Sequence, residues 1–389
     1  KFAGVSSFGF SGTNAHIILE AAENPHAAPV EGAQLLRLSA PSAALLAQAA
    51  ERLAEKFEKN PEISLSDAAF TLATGRASFP FRRTLVANSV AEAAQKFRGE
   101  PDQQIHLRPV AFLFGGQGTP RRGMGKELAE HSPVFAAALA RCAATLDPLL
   151  GEPLSKILWE SALDRTDWIQ PAIVAYGWSL AQFWQSLGVQ PSLLMGHSIG
   201  ELAAAAVAGI FSVEDALLLA AMRGKWMQER CLPGATLAVS GSNARAQLRA
   251  ALLQVPGVEW VADNGPDQGV VGGEVALVKQ VESLLPQLRC SILPGGRAFH
   301  TALVEPMLEE FLALASTLSY QKPRVPIFSA LGPQEEMATP SYWARQLRQQ
   351  VRFAEALQRA GSRTILEISA TPALVSVAGD RPWIVSTKP

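Results

Sequence analysis

Cysteine is scarce in this sequence, with three in 389 residues. Cys142, Cys231 and Cys290 stand far apart, with no Cys-x-x-Cys pair and no Cys/His cluster. That argues against a disulfide scaffold or a zinc site and for a reducing, cytoplasmic compartment. An excess of one charge is missing too: 34 basic against 35 acidic residues leave a net charge of −1. Without a basic surplus nothing neutralises a phosphate backbone, so nucleic acid is not an expected partner. No uninterrupted apolar run reaches the ~18 residues of a membrane span, so no membrane partner is expected either. The N-terminus has no signal-peptide pattern and no methionine. Starting at Lys1-Phe2-Ala3-Gly4, it reads as a piece of a longer chain.

What the chain does have is 48% hydrophobic side chains over a length that implies two or three domains. Its organising stretch runs from Ser192 to Glu201. An apolar run ends in Gly196-His197-Ser198-Ile199-Gly200 and gives way to an Ala-rich segment from Leu202 to Ala208. The pattern predicts a buried strand, a sharp turn and a helix. The flanking glycines allow close backbone approach. The corner lifts the Ser198 hydroxyl onto the N-terminus of the helix, where unpaired N–H groups favour developing negative charge. This is the pattern of a nucleophile elbow. A bare Gly-x-Ser-x-Gly can also be a plain loop serine; the strand before it and the helix after it separate the two readings.

Before the elbow, residues 1–22 contain Gly12-Thr13-Asn14-Ala15-His16 and a strand-like Ile17-Ile18-Leu19. Residues 23–34 carry proline, glycine and polar residues and read as a connector. A small α/β unit follows, to residue 108. It has a strand at Leu35–Ser39, a helix capped by Ser42, a second helix from about Ser66, a strand at Phe81–Ala87 and a third helix from Val90. Val110–Phe114 is the next buried strand, leading into Gly115-Gly116-Gln117-Gly118-Thr119. That loop lacks the Lys-Ser/Thr of a phosphate loop, and its small residues can let a backbone N–H face a site. A helix opens with Thr166 or Asp167 as its cap and has Gln170 in its first turn.

Gly209 ends the elbow helix, and Ser212-Val213-Glu214-Asp215 reads as a capping box for the next. Leu218, Leu219, Met222 and Trp226 form the expected buried face of that helix, with Arg223 beside it. A helical arginine is usually a solvated charge; Arg223 matters only if it points toward Ser198. Residues 235–295 show the order β-α-β-β-α-β, a ferredoxin-like insert. The main domain then resumes with a helix from Pro306 to Leu318, a strand at Val325–Ser329, a helix around Phe353 and a strand at Thr364–Ile368. Residues 379–389 read as an extended exit linker. His300 lies where the chain returns from the insert, and clefts between lobes are common ligand sites. A serine nucleophile needs a base within ~3 Å. The choice narrows to His197, His300 and possibly His131; His197 adjoins the serine in sequence, so its ring points away and packs or orients, and His300 is the preferred base.

Residues 109–378 resemble a malonyl-CoA:acyl carrier protein transacylase, in particular the acyltransferase domain of a modular polyketide synthase. The matching stretches are Phe114–Thr119, Thr166–Ala172, Gly196–Glu201, Met222–Gln228, Ala298-Phe299-His300 and Leu366-Glu367-Ile368. Residues 1–22 resemble the last active-site segment of a ketosynthase, with His16 at its catalytic histidine and the nucleophilic cysteine outside this sequence. Within this chain His16 is then expected in a leftover tail packed on its neighbour. Residues 23–108 resemble the linker between the two domains. The resemblance implies an α/β fold with a large α/β-hydrolase-like subdomain and an inserted ferredoxin-like one.

It also implies roles. Ser198 would be acylated, and His300 would be general base and then acid. The N–H groups of Gln117 and Ile199 would form the oxyanion hole. Arg223 would hold the free carboxylate of the extender unit bidentately. The carbonyl of Gln346 would orient the histidine, and His197, Gln170 and Asn264 would shape the pocket. Phe299, in an Ala-Phe-His ending, accompanies malonyl rather than methylmalonyl selection, because its bulk fills the space of an α-methyl. Arg297 stands where a histidine is usual and is expected at the pocket rim. The implied reaction is a ping-pong exchange between an acyl-CoA thioester and the phosphopantetheine thiol of an acyl carrier protein. The chain itself would need no cofactor or metal, and a ketosynthase of the same polypeptide would be its neighbour. Two other readings stay open. An α/β-hydrolase-type esterase or editing thioesterase would want an Asp or Glu to orient the base. An idle docking scaffold would leave Ser198, His300 and Arg223 without a job.

Overall fold

The computed structural model describes residues 1–21, 32–99, 103–104, 108–332 and 336–387. Most of the expected connector at 23–34 therefore lies outside the described residues. Contacts divide the chain into two compact units, Lys1–Leu107 and Arg108–Pro389.

In the first unit, Phe2–Phe8 and Asn14–Glu20 pair antiparallel as a hairpin. Every residue from 1 to 21 is exposed, so the tail expected to be packed has no buried face. The Ser6 hydroxyl and His16 Nδ1 are 2.7 Å apart on this ribbon. Gln34–Ala40, Phe81–Ala87 and Gln103–Gln104 then form an antiparallel sheet. The helices Ala43–Lys59, Leu65–Thr74 and Val90–Gly99 accompany it. Ser42 caps the first of these, accepting from the Leu45 N–H. Its core is Leu36, Ala54, Phe57, Leu85, Ala93 and Phe97.

The second unit is built on a five-stranded parallel sheet. Its spatial order is Ile327–Phe328, Pro191–Gly196, Val110–Phe114, Thr364–Ile368, Trp383–Val385. The central strand Val110–Phe114 is apolar at every position because both faces are covered. Phe112 and Phe114 join the helical core on one side. Ala111 and Leu113 face the other way, onto a cluster with Val261, Val270 and Phe353. Parallel pairing sets Phe114 opposite Gly196 and Ile368 opposite Phe114. The loops that follow these three strands thus emerge side by side at the carboxyl end of the sheet, where open α/β sheets bind ligands.

Several boundaries differ from the sequence reading. The exit linker expected from residue 379 contains the strand Trp383–Val385, whose backbone completes the sheet. The helix expected from Pro306 begins as a 3-10 turn, Ala302–Met307, before the α-helix Leu308–Ala315. Neither Thr166 nor Asp167 caps the helix Thr166–Ser186: Arg165 is the cap residue, and Thr166 is buried. The helix Pro133–Leu150 is 18 residues long with hydropathy 1.3, enough by length and composition to cross a membrane. It places Phe135, Leu139, Cys142 and Leu146 in the core.

The insert forms a four-stranded antiparallel sheet. Its order is Arg289–Ile292, Ala235–Ser240, Gln268–Gly273, Glu259–Gly265. The helices Ala244–Gln254 and Val275–Ser283 complete the ferredoxin-like unit. Val351 of the main lobe stitches to its last strand: the Asp263 N–H donates to the Val351 carbonyl, and the Val351 N–H to the Val261 carbonyl, both at 2.9 Å.

A buried carboxylate fixes the remaining loop. Glu367 Oε1 accepts from the N–H groups of Ala373 and Leu374 at 2.9 and 3.2 Å, and Oε2 from Trp383 Nε1 at 2.9 Å. Glu367→Leu would strand these donors, at about 1–3 kcal/mol each where they stay buried. Urea unfolding should show a midpoint lowered at unchanged slope; an unmoved midpoint would show that the loop does not depend on the carboxylate.

Candidate active site

Ser198 sits at φ +52° between the strand Pro191–Gly196 and the helix Gly200–Ala208. That left-handed backbone is uncommon for a residue with a side chain and is held by its surroundings. A Cβ on Gly196 would stand 2.3 Å from the Glu201 nitrogen, and one on Gly200 would stand 2.4 Å from the Phe114 oxygen. Both glycines are therefore set by close backbone approach. Ser198 Oγ and His300 Nε2 are 2.6 Å apart. His300 is itself at φ +57°, on the turn by which the chain leaves the insert. Among the described residues, the N–H groups of Ile199 and Gln117 donate to no protein acceptor.

His300 is 2% exposed. Burial, then the neighbouring Arg223 and His197, pull its pKa down to about 3, while the backbone carbonyls of Gln349 and Gln346 push it back up. The ring is thus a neutral base at physiological pH. Its enclosed Nδ1 makes no hydrogen bond of ordinary geometry, while the backbone of Gln349 and, less strongly, of Gln346 favours the protonated ring. The Gln346 side chain does something else: its amide donates to the Ser198 carbonyl at 2.8 Å and pins the elbow.

The cleft holds about 230 Å³ and lies between the lobes. Ser198, His300, Gln117, His197, Asn264 and Phe299 all line it. His197 turns away from the serine, as its sequence position implies. Its Nε2 is 2.8 Å from Asn264 Oδ1, and its ring meets Phe353 edge-on. The Gln117 side chain donates to the Pro294 carbonyl at 3.2 Å, tying the Gly-rich loop to the segment that leads to His300.

Three candidates are placed differently from the sequence reading. Arg297 does not line the cleft. Its guanidinium donates to the carbonyls of Met227 and Gln228 at 3.0 and 2.8 Å, near the negative end of the helix Val213–Arg230. Gln170 is fully buried behind the cleft and donates to Thr166 Oγ1 at 2.8 Å, leaving Oε1 without a partner. Arg223 is neither solvated nor beside the buried face. It belongs to the buried stripe of Val213, Ala216, Leu217, Ala220, Gly224 and Met227; of the expected face Leu219 is buried, while Leu218, Met222 and Trp226 are half-buried. It is 2% exposed, and burial lowers its pKa to about 9. Among the described residues its guanidinium makes no hydrogen bond and no ion pair within 4 Å, and its Nε is wholly enclosed.

Sequence reasoning missed Glu201, which is fully buried in the first turn of the elbow helix. Its Oε1 accepts from the Ala330 N–H at 2.6 Å and its Oε2 from the Tyr342 hydroxyl at 2.9 Å. The available signal was one carboxylate ahead of an unbroken apolar segment.

A parallel α/β sheet with a serine elbow, a histidine at hydrogen-bond distance and two unengaged N–H groups defines a nucleophilic acyl-transfer or hydrolase class of protein. Family comparison narrows it. Residues 111–381 match the model of the acyl transferase domain, and residues 34–97 match the CurL-like C-terminal region of polyketide synthases. The chain belongs to the acyl transferase domain family, in the form carried by modular polyketide synthases. It is 36% identical over 415 residues to the spectinabilin polyketide synthase system protein NorB of Streptomyces orinoci, covering 97% of this chain and 19% of that protein. With polyketide synthase GfsA of Streptomyces halstedii it shares 35%, over 97% of this chain and 6% of that one. It thus spans a small part of each. Among solved structures, the acyltransferase domain from module 8 of the salinomycin polyketide synthase superposes with a TM-score of 0.81 at 29% identity, covering 91% of this chain and 90% of that one. An acyl carrier protein S-malonyltransferase from Vibrio cholerae gives 0.63 at 26%, over 71% and 96%.

Proposed function

We propose that this domain transfers a malonyl-type acyl group from CoA to the phosphopantetheine thiol of an acyl carrier protein, by ping-pong exchange through an acyl-serine. The observation that carries the reading is the 2.6 Å approach of Ser198 Oγ to His300 Nε2 in a cleft walled by both lobes. His300, held neutral by its surroundings, takes the hydroxyl proton as Ser198 attacks the thioester carbonyl. The free N–H groups of Ile199 and Gln117 receive the developing oxyanion. The CoA thiolate leaves with the proton from His300, and the carrier thiol then reverses the steps. Arg223 supports a dicarboxylic acyl group: a buried guanidinium with vacant donors suits a carboxylate that can neutralise it. Solved relatives agree in kind, one being an acyl carrier protein S-malonyltransferase and another an acyltransferase domain in complex with a substituted malonyl group.

A thioesterase reading has less support, since no carboxylate bonds to His300 among the described residues. Incubation with malonyl-CoA and a carrier protein tests the choice: malonyl-carrier should accumulate, and rapid release of free malonate instead would overturn the transferase reading.

Extender choice follows from Phe299, 4% exposed on the cleft wall. Phe299→Ser should raise methylmalonyl relative to malonyl loading by about tenfold in competition, the scale of one methyl in a pocket. An unchanged ratio of the two acyl-enzymes by mass spectrometry would place selectivity elsewhere.

A further inference from the structure

Arginine is rarely buried without a partner, because removing an unpaired charge from water costs several kcal/mol. Among the described residues, the carboxylate that acts electrostatically on Arg223 is that of Glu201, fully buried on the elbow helix. The two do not join as an ion pair within 4 Å among the described residues. Glu201 is held back by the Ala330 N–H on one oxygen and the Tyr342 hydroxyl on the other. No hydrogen bond to the guanidinium is present among the described residues, and its enclosed Nε has no partner.

We propose that Glu201 is a positioning residue: a counter-charge fixed at a distance, which makes buried Arg223 tolerable while keeping its hydrogen-bond donors open to a guest carboxylate. The proposal rests on the reading of Arg223 as the carboxylate site and adds the group that tunes it. A guest anion bound to Arg223 also meets the field of Glu201, so that the acid's ionisation opposes dicarboxylic acyl groups and leaves monoacyl groups unaffected. The groups around Glu201 are the Arg223 guanidinium, the Tyr342 phenol, the Gln346 amide and the Ala330 N–H. Burial raises the Glu201 pKa to about 7, against the opposing pull of these four. The site is thereby poised to respond near neutral pH.

Initial rates of Ser198 acylation by malonyl-CoA and acetyl-CoA, measured between pH 6 and 8.5, test this. Wild type should show KM for malonyl-CoA rising by roughly three- to tenfold through about pH 7, with KM for acetyl-CoA flat. Glu201→Gln, which keeps the shape and removes the charge, should lower KM for malonyl-CoA at pH 8 by a similar factor and abolish its pH dependence. Parallel pH profiles for the two substrates in wild type would overturn the proposal even if the variant does not fold. Equal losses on both substrates in a folded Glu201→Gln would reduce the residue to a structural support and overturn it as well. Arg223→Ala separates the two levels. If that variant keeps the malonyl preference, the carboxylate-site reading itself fails. If it loses the preference while wild type shows no differential pH response, the role of Glu201 alone fails.

Discussion

Replacing Ser198 with alanine should reduce acyl-enzyme formation to nothing detectable and transfer to the carrier by ~10⁴–10⁶-fold, the range for loss of a nucleophile that works as a unit with its base. The variant should stay folded, since the Ser198 hydroxyl makes no hydrogen bond among the described residues other than the one it shares with His300. Alanine also retains the backbone carbonyl that takes the Gln346 amide. Intact-protein mass after exposure to malonyl-CoA is the measurement. A mass increment that survives the substitution would move the nucleophile to another residue. Residual transfer is expected to be small, because the oxyanion donors remain but nothing is left to form the covalent intermediate.

Arg223→Ala should carry the second largest effect, and it should be selective. Malonyl loading loses its charged partner and falls by about 10²–10³-fold, the scale of a charge-assisted pair removed from a dry site. Acetyl loading should hold or improve, because space is gained and the acetyl group carries no charge to leave unpaired; Glu201, its counter-charge gone, then favours its protonated form. The acid limb of the acetyl reaction should also move to higher pH. A cation beside the imidazole disfavours the imidazolium, so its loss raises the pKa of His300 from about 3 toward that of ordinary histidine. Rates of both acyl-CoA substrates across pH check these outcomes together. An equal fall on both substrates would make Arg223 a structural residue rather than a substrate ligand.

Much of this fold was legible before coordinates. The elbow was readable because apolar periodicity, flanking glycines and an Ala-rich helix all point to one corner. The insert's β-α-β-β-α-β order was readable because its strands are short, apolar and bounded by turn residues. Arg223 was placed wrongly on its helix for a physical reason. Large side chains at Leu218, Met222 and Trp226 drew the predicted face, whereas the tightest packing uses the small Ala216, Ala220 and Gly224. A Cβ on Gly224 would stand 2.8 Å from both Asp167 Cα and the Thr166 carbonyl, so helix contact there depends on the absence of bulk. Arg297 was misread because a charge near a catalytic histidine suggests a rim residue, while helix-end carbonyls compete for it and win. Glu201 offered only one carboxylate ahead of an apolar segment as a signal, and its role was not legible because its partners lie 129 and 141 residues away.

The last parallel strand bears on how such domains can be exchanged between synthases. A chimera joined at residue 378 would sever Trp383–Val385 from the domain it closes. It would also bare the backbone of Thr364–Ile368, inviting promiscuous pairing with other chains. The indole of Trp383, which anchors Glu367, would be lost at the same cut. Junctions placed beyond Thr387 keep the strand, its anchor and the Ala373–Leu374 wall of the reaction chamber in one transplantable piece.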